Sequence, residues 1–171
     1  MDKAHGRGKS ALKDGSSYEG EWVEDKKSGE GVECWADGSR YDGQFRDNSK
    51  SGEGTYKSPV GSVIYQGGFL DDQMHGRGSY HFPNGLAYTG QWARGCMHGR
   101  GRTTWSDGKK FEGCYENDLE HGLGLLTLPD GRVYRGTWVH GKHEGPLQRC
   151  DTKSDSLPQA VDGGLSRGDD W

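Results

Sequence analysis

The sequence predicts an all-β fold, built as an elongated single-layer antiparallel meander of tandem β-hairpins. Three observations support this prediction: an unusual composition, a short motif repeated at a fixed period, and alternation of apolar and polar residues. Only 29% of the 171 residues are hydrophobic and 31 are glycine, which disfavours a packed two-layer core. Aromatic residues nevertheless make up 11% of the chain, an apolar content that disordered proteins usually lack.

The repeated motif is aromatic-x-Gly-x-aromatic, and its copies are 23 or 24 residues apart. Alternate residues of a strand share a face, so we expect both aromatic rings and the glycine to lie on one side. A glycine between two rings lets neighbouring aromatic side chains close over the backbone. The six copies are Tyr18-Gly20-Trp22, Tyr41-Gly43-Phe45, Tyr65-Gly67-Phe69, Tyr88-Gly90-Trp92, Phe111-Gly113-Tyr115 and Tyr134-Gly136-Trp138.

Two further signals follow the aromatic motif in each repeat. The first is Gly-x-Gly, as in Gly29 and Gly31, and the second is a turn dipeptide such as Asp37-Gly38. Asp-Gly and Asn-Gly favour the positive φ angles of a tight hairpin turn, so we place the tight turns there. Each repeat therefore supplies two strands, and consecutive hairpins are expected to join into one sheet.

The repeats divide the chain into three parts. Residues 1–17 carry only the second half of a unit, and residues 18–149 form an array with repeats starting at 18, 41, 65, 88, 111 and 134. The last repeat has Leu147 in place of the second glycine. Residues 150–171 have lost the period and are expected to form a disordered tail.

These motifs at this period resemble the MORN (membrane occupation and recognition nexus) repeat family. The resemblance covers roughly residues 4–145. It implies an elongated single-layer β-sheet that acts in scaffolding, in cytoskeletal or axonemal assembly, or in membrane apposition. Some family members carry the repeats beside a lipid kinase or a protein methyltransferase, but the repeats leave no room for such a domain within these residues.

The sequence offers no candidate for catalysis, cofactor binding or metal binding. His5, His75, His98 and His121 recur before the Gly-x-Gly, yet equivalent positions in adjacent hairpins lie about 10 Å apart, too far to share one metal ion. We expect these histidines to have structural roles. The four cysteines have no metal-ligand spacing and are expected to be reduced thiols. We therefore predict that the protein is not an enzyme.

Charge differs sharply between repeats, although the whole chain has a net charge of only −4. Residues 18–40 and 111–133 each carry a net charge of −4, whereas residues 88–110 carry +4. This basic band could accept an anionic surface, an acidic partner or the acidic repeat of another copy, or it could simply be solvated. Its residues are Arg94, Arg100, Arg102, Lys109 and Lys110.

Three functions are compatible with this sequence. The preferred one is a non-catalytic adaptor that binds proteins, including a second copy of itself, through an aromatic face and open sheet edges. The alternatives are an anionic phospholipid-binding module, for which weak binding is expected, and a regulatory subunit of an enzyme complex. The net negative charge disfavours nucleic acid. No segment resembles a signal peptide or a membrane span, so we expect a cytoplasmic protein of the cytoskeleton, cilium or flagellum.

Overall fold

The computed structural model describes residues 3–150, and these residues form one open antiparallel sheet of thirteen strands. The spatial order of the strands follows the chain from β1 to β13, and every strand pairs with its sequence neighbour. This arrangement confirms the predicted all-β single-layer meander. The strands are β1 Gly6–Ala11, β2 Ser17–Val23, β3 Lys26–Cys34, β4 Arg40–Arg46, β5 Ser49–Lys57, β6 Val63–Leu70, β7 Gln73–His81, β8 Ala87–Ala93, β9 Cys96–Thr104, β10 Lys110–Glu116, β11 Leu119–Thr127, β12 Val133–Val139 and β13 Lys142–Cys150.

The tightest turns follow the aromatic strands, which corrects the prediction that the Asp-Gly dipeptides form them. Between β4 and β5 only Asp47 and Asn48 connect the strands, with φ angles of 50° and 75°. Two successive positive φ angles are typical of a type I′ turn, whose twist matches that of the strands it joins. The equivalent pairs are Glu24 and Asp25, Asp71 and Asp72, Arg94 and Gly95, Asn117 and Asp118, and His140 and Gly141.

The Asp-Gly dipeptides lie in longer loops at the other ends of the strands. Five residues, 35–39, connect β3 to β4, and the amide of Gly38 donates to the carbonyl of Trp35 at 2.9 Å. Gly38 has a φ of +87°, whereas Asp37 is not left-handed and accepts a hydrogen bond from the amide of Ser39 at 2.8 Å. The aspartate therefore caps the loop through its side chain, and the glycine alone supplies the positive φ.

The two glycines of each Gly-x-Gly have different structural roles. The first lies at a β-bulge with positive φ, as at Gly52, where φ is +89° and the register shifts against β4. The side-chain oxygen of Gln44 accepts the amide of Glu53 across this bulge at 3.0 Å. The second glycine pairs with the glycine of the aromatic motif, as Gly54 does with Gly43.

These pairings create a continuous row of glycines across the sheet, which we call the glycine row. It passes through every strand from β1 to β12 and ends where Leu147 of β13 packs against Gly136. On one side of the row the tyrosine rings cover the bare backbone. The members of the row are Gly8, Gly20, Gly31, Gly43, Gly54, Gly67, Gly78, Gly90, Gly101, Gly113, Gly124 and Gly136.

The boundaries of the array differ slightly from the prediction. The first half repeat pairs with the first full repeat, with Gly8 opposite Gly20. At the other end β13 extends to Cys150, one residue past the expected end of the array at residue 149. The rest of that expected tail, residues 151–171, lies outside the described residues.

Candidate binding surface

The aromatic side of the sheet is largely filled by its own rings. Successive edge-to-face contacts run from Trp22 through Tyr18 to Phe45, with ring centroids 5.1 and 5.0 Å apart. The same zigzag continues to Trp138, 4.8 Å from Phe111, and we call it the aromatic ladder. Its members in order are Trp22, Tyr18, Phe45, Tyr41, Phe69, Tyr65, Trp92, Tyr88, Tyr115, Phe111 and Trp138.

Nine of the twelve motif aromatics are buried, and Trp22, Phe69 and Tyr134 are half-buried. Tyr134 differs because Leu147 occupies the place over Gly136 that a tyrosine or phenylalanine ring fills in the other repeats. The face is therefore less open than the exposed aromatic surface that the sequence suggested. Most of these rings stabilise the sheet and are not available to a partner.

The tyrosine hydroxyls of the ladder are satisfied within the chain. The hydroxyl of Tyr88 donates to the carbonyl of Gln91 at 2.8 Å, and that of Tyr65 donates to the carbonyl of Gly68 at 2.9 Å. Burial raises the pKa of Tyr65 to about 12, and burial likewise raises the pKa of Tyr88. These hydroxyls therefore remain protonated and serve the fold.

A second group of apolar side chains lies against the ladder and is only half-buried. We call it the apolar patch, and it spans the region from β5 to the loop after β9. Tyr80 and Phe82 have ring centroids 4.5 Å apart, and Lys109 Nζ lies 4.1 Å from the centroid of the Trp105 ring. The patch comprises Tyr56, Met74, Tyr80, Phe82, Met97 and Trp105.

Lysines limit the patch on the side of the first repeats. Lys27 and Lys50 occupy the positions that Met74 and Met97 have in later repeats. Lys50 Nζ lies 5.1 Å from the ring centroid of Trp35, and Lys27 forms an ion pair with Glu33. The aromatic face is therefore polar around Lys27 and Lys50, and apolar in the middle of the array.

The opposite side of the sheet, which we call the polar face, is a trough whose floor is the glycine row. Between β7 and β10 this trough is lined by glycine backbone and by Arg77, Ser79, Gln91, Arg100 and Arg102. The hydroxyls of Ser79 and Thr89 lie 2.9 Å apart across two strands. Bare backbone flanked by long polar side chains gives this face an open, grooved shape that suits binding of an extended partner.

The five basic residues singled out in the sequence do not form one patch. Arg100 and Arg102 lie on the polar face, and Arg102 forms an ion pair with Glu112 at 2.6 Å. Lys110 begins β10 and shares the polar face with Glu112. The other two lie elsewhere, since Arg94 is in a tight turn with a φ of 52° and Lys109 stacks on Trp105.

The structure adds Arg77, which the sequence prediction missed because this residue belongs to the preceding repeat. Arg77 and Arg100 are both the middle residue of a Gly-x-Gly, at the same height along β7 and β9. Comparison of the middle residues of successive Gly-x-Gly motifs, in place of the net charge of each repeat, would have identified these two arginines. At this position the array carries Arg7, Glu30, Glu53, Arg77, Arg100, Leu123 and Pro146.

The histidines and cysteines form no chemical centre in the part of the chain that the structure describes. No group of three or more histidine, cysteine or acidic side chains within residues 3–150 is arranged to hold a metal ion. His75 and His98 are exposed, and His121 Nε2 lies 3.6 Å from Glu116 Oε2. The four cysteines, all within this range, are free thiols. Residues 3–150 also contain no helix that could cross a membrane.

The fold and its surfaces define a class of protein: a tandem β-hairpin array that presents two extended faces. A model of the MORN repeat matches residues 18–40, 41–63, 65–87, 88–110, 111–131 and 134–146, which together cover most of the chain. The chain therefore belongs to the MORN repeat family. Repeats of this family generally bind proteins or lipids, and they are binding or scaffolding units rather than catalytic ones. No curated protein matches the chain.

Proposed function

We propose that this protein is a non-catalytic scaffold that binds another protein through the apolar patch. The observation that carries the proposal is the patch itself, which leaves aromatic rings and methionines half-buried on a sheet where most of the motif aromatics are buried. Aromatic side chains are the usual anchors of protein interfaces, and methionine adapts to the shape of a partner. Such a surface suits an apolar segment of another protein.

We further propose that the partner belongs to a cytoskeletal assembly, such as the axoneme of a cilium or flagellum. The family resemblance motivates this proposal, together with a chain that is mostly repeats. A single-layer sheet with two faces and two ends is suited to holding components at fixed spacing. In this proposal the protein works in the cytoplasm and contributes position, not chemistry.

The proposal is tested by capture of axonemal proteins from ciliated cells on immobilised protein. Trp105→Ala removes a ring of the apolar patch and is expected to reduce the captured axonemal components at least tenfold. Trp35→Ala is the matched control, because Trp35 has the same position in the first repeat but lies at the margin of the patch, where its ring contacts Lys50 and Tyr56. Equal capture by both variants would contradict the role of the patch.

Binding to anionic phospholipid is the alternative function, and the polar face is where it would occur. Arg102 is already paired with Glu112, and acidic strands lie on both sides of the arginines, so we expect little binding at physiological salt. Co-sedimentation with vesicles of phosphatidylcholine and phosphatidylserine measures this directly. Robust binding that is lost when Arg77, Arg100 and Arg102 are changed to glutamate would favour a lipid-binding module over a protein scaffold.

A further inference from the structure

Charge on the polar face is separated along the array. The acidic part lies on β2 to β5, where Glu19, Glu30, Asp42 and Glu53 line the trough. Arg40 also lies there and pairs with Asp42 at 2.9 Å, which leaves Glu30 and Glu53 as the main acidic groups. The basic part lies on β7 to β9, where Arg77, Arg100 and Arg102 line it. Strand β6 separates the two parts and contains no charged residue. One face therefore presents both halves of a complementary surface, centred on an uncharged strand.

Four charged residues of this face share one position in their repeats. Glu30, Glu53, Arg77 and Arg100 are each the middle residue of a Gly-x-Gly, on β3, β5, β7 and β9. These odd-numbered strands run in the same direction, because neighbouring strands are antiparallel. The four side chains therefore lie at one height along the strands, about 9.6 Å from one to the next at the usual strand spacing.

We infer that two copies of this chain pair through their polar faces, around a twofold axis parallel to β6. Rotation about this axis leaves each residue at the same height along the strands and reverses the order of the strands. Strand β5 of one copy therefore faces β7 of the other, and β3 faces β9. Glu53 then faces Arg77 of the second copy, and Glu30 faces Arg100. Because the contact is isologous, each of these ion pairs forms twice.

The shape of the polar face allows two copies to pack closely against each other. Packed sheets lie about 10 Å apart with their strands nearly aligned, and a glutamate and an arginine together span that distance. At the glycine row the polar face of each copy presents backbone between the flanking side chains. Between the ion pairs, β4 of one copy faces β8 of the other, which brings Gln44 opposite Gln91 and Asp42 opposite Thr89. These polar side chains have partners within their own copy, such as Glu30 for Gln44 at 3.0 Å, so the ion pairs carry the contact.

The contact ends at β2 and β10. There Glu19 of one copy faces Glu112 of the other, and both carboxylates already have partners, Lys9 at 3.4 Å and Arg102 at 2.6 Å. The interface therefore depends on exposed ion pairs formed by the strands from β3 to β9. Such pairs are individually weak and sensitive to salt. Association should be reversible and should depend strongly on ionic strength. It uses the face opposite the apolar patch, so it stands independently of the proposed function.

Sedimentation velocity of the full chain tests the pairing. We expect a monomer–dimer equilibrium at low salt, visible at protein concentrations up to about 1 mM, and dissociation at high salt. The variant Glu30→Arg with Glu53→Arg should weaken self-association at least tenfold. The variant Arg77→Glu with Arg100→Glu should do the same, since each variant places like charges opposite one another.

Mixing the two variants in equal amounts gives the decisive measurement. In the mixed dimer the substituted arginines of one copy face the substituted glutamates of the other, and the remaining ion pairs are native. Opposite charges therefore meet at every contact, and dimerisation should return to the wild-type level. The control variant, Glu24→Arg with Asp71→Arg, makes the same charge change in the tight turns, at the position where Arg94 occurs naturally. It should dimerise as the wild type does.

Four results would overturn the pairing. These are a wild-type chain that remains monomeric at low salt, a mixture that stays monomeric, growth beyond dimers, and loss of dimerisation in the control variant. Circular dichroism of each variant shows whether it is folded. If a charge-reversed pair is unfolded, the single changes Glu53→Gln and Arg77→Gln replace it, and each should weaken dimerisation without reversing any charge.

Discussion

Glycine has two separate roles in this protein, and both are visible at single residues. At Gly99 the backbone adopts a φ of +65° at a bulge, where the side chain of Gln91 accepts the amide of Arg100 at 2.7 Å. At Gly101, two residues later, the ring of Tyr88 lies directly on the backbone. The first position requires a left-handed conformation and the second requires an absent side chain.

The glycine row should therefore tolerate alanine only where the ring against it can move. In Gly90→Ala the new Cβ would lie 2.5 Å from Tyr88 Oη and 2.5 Å from the Cα of Gly101, so ring and backbone must move. We expect a loss of about 3 kcal/mol in the free energy of unfolding, measured by urea denaturation. Gly8→Ala is the control, because its Cβ would lie 3.3 Å from the half-buried Trp22 ring, which can shift. A loss in Gly8→Ala as large as in Gly90→Ala would contradict this account.

The buried tyrosines should make the fold sensitive to alkali. Burial raises the pKa of Tyr65 to about 12, from the usual value of about 10 in the unfolded chain. A raised pKa contributes stability that is complete below pH of about 10 and is lost as the pH rises through about 12. Melting temperature should therefore fall steeply between these two values. In Tyr65→Phe, which removes the ionisable group, the fall should be smaller, and an unchanged pH profile in this variant would refute the assignment.

The sequence predicts the residues of the fold better than those of the binding surface. The aromatic rings and glycines are visible because each recurs at a fixed period. The tight turns are not, because their dipeptide differs from repeat to repeat, as in Glu24-Asp25 and His140-Gly141. The recurring Asp-Gly dipeptide directs the prediction to the longer loops instead. The sequence prediction missed Arg77 because it counted charges within each repeat. On the polar face Arg77 lies beside residues of the following repeat.

At the scale of the element, each hairpin is attached to the preceding one through its tight turn. The amide of Asp72 donates to the carbonyl of Lys50 at 3.0 Å, and the Asp72 carboxylate accepts the amide of Lys50 at 2.9 Å. Asn48 and Asp118 make the same pair of bonds to Lys27 and Met97. In the turn between β8 and β9 the equivalent residue is Gly95, which can form only the backbone bond, to the carbonyl of Met74 at 2.9 Å.

Restoring the missing side chain at this turn should stabilise the protein. In Gly95→Asp the carboxylate can accept the amide of Met74, and the φ of +82° is close to the 65° of Asp72. We expect a gain of about 1 kcal/mol in the free energy of unfolding, from one hydrogen bond and a less flexible unfolded chain. Gly95→Ala cannot form the bond and should lose stability, because alanine is strained at positive φ. Urea denaturation of both variants measures the difference, and equal stability of the two would refute the role of the carboxylate.

At the scale of the whole molecule, the aromatic ladder takes the place of a second layer. Between the two end rings, each ring of the ladder contacts a ring of its own hairpin and a ring of an adjacent hairpin, so the apolar interior extends along the array without a centre. The interior ends at Trp22 on one side and at Trp138, beneath Leu147, on the other. Stability in such an array is approximately a sum over repeats and the contacts between neighbours. A defect in the middle should therefore separate two halves, whereas a defect at an end should loosen that end alone.

Trp92 and Trp22 allow this difference to be measured with one substitution. Both occupy the same motif position, and both donate from the indole nitrogen to a glycine carbonyl at 3.2 Å. Trp92 is 5% exposed and contacts Tyr65 and Tyr88, whereas Trp22 is half-buried and contacts Tyr18.

Truncation of the two rings should therefore have unequal effects. Trp92→Ala should cost about 3–5 kcal/mol, the usual cost of removing a large buried ring, and should split the urea transition in two. Trp22→Ala should keep a single transition with a smaller loss, because only the first hairpin is released. Hydrogen exchange locates the effect: faster exchange on both sides of β8 is expected for Trp92→Ala, and faster exchange confined to β1–β3 for Trp22→Ala. If both variants unfold in one transition with equal losses, the ladder does not couple the repeats in series.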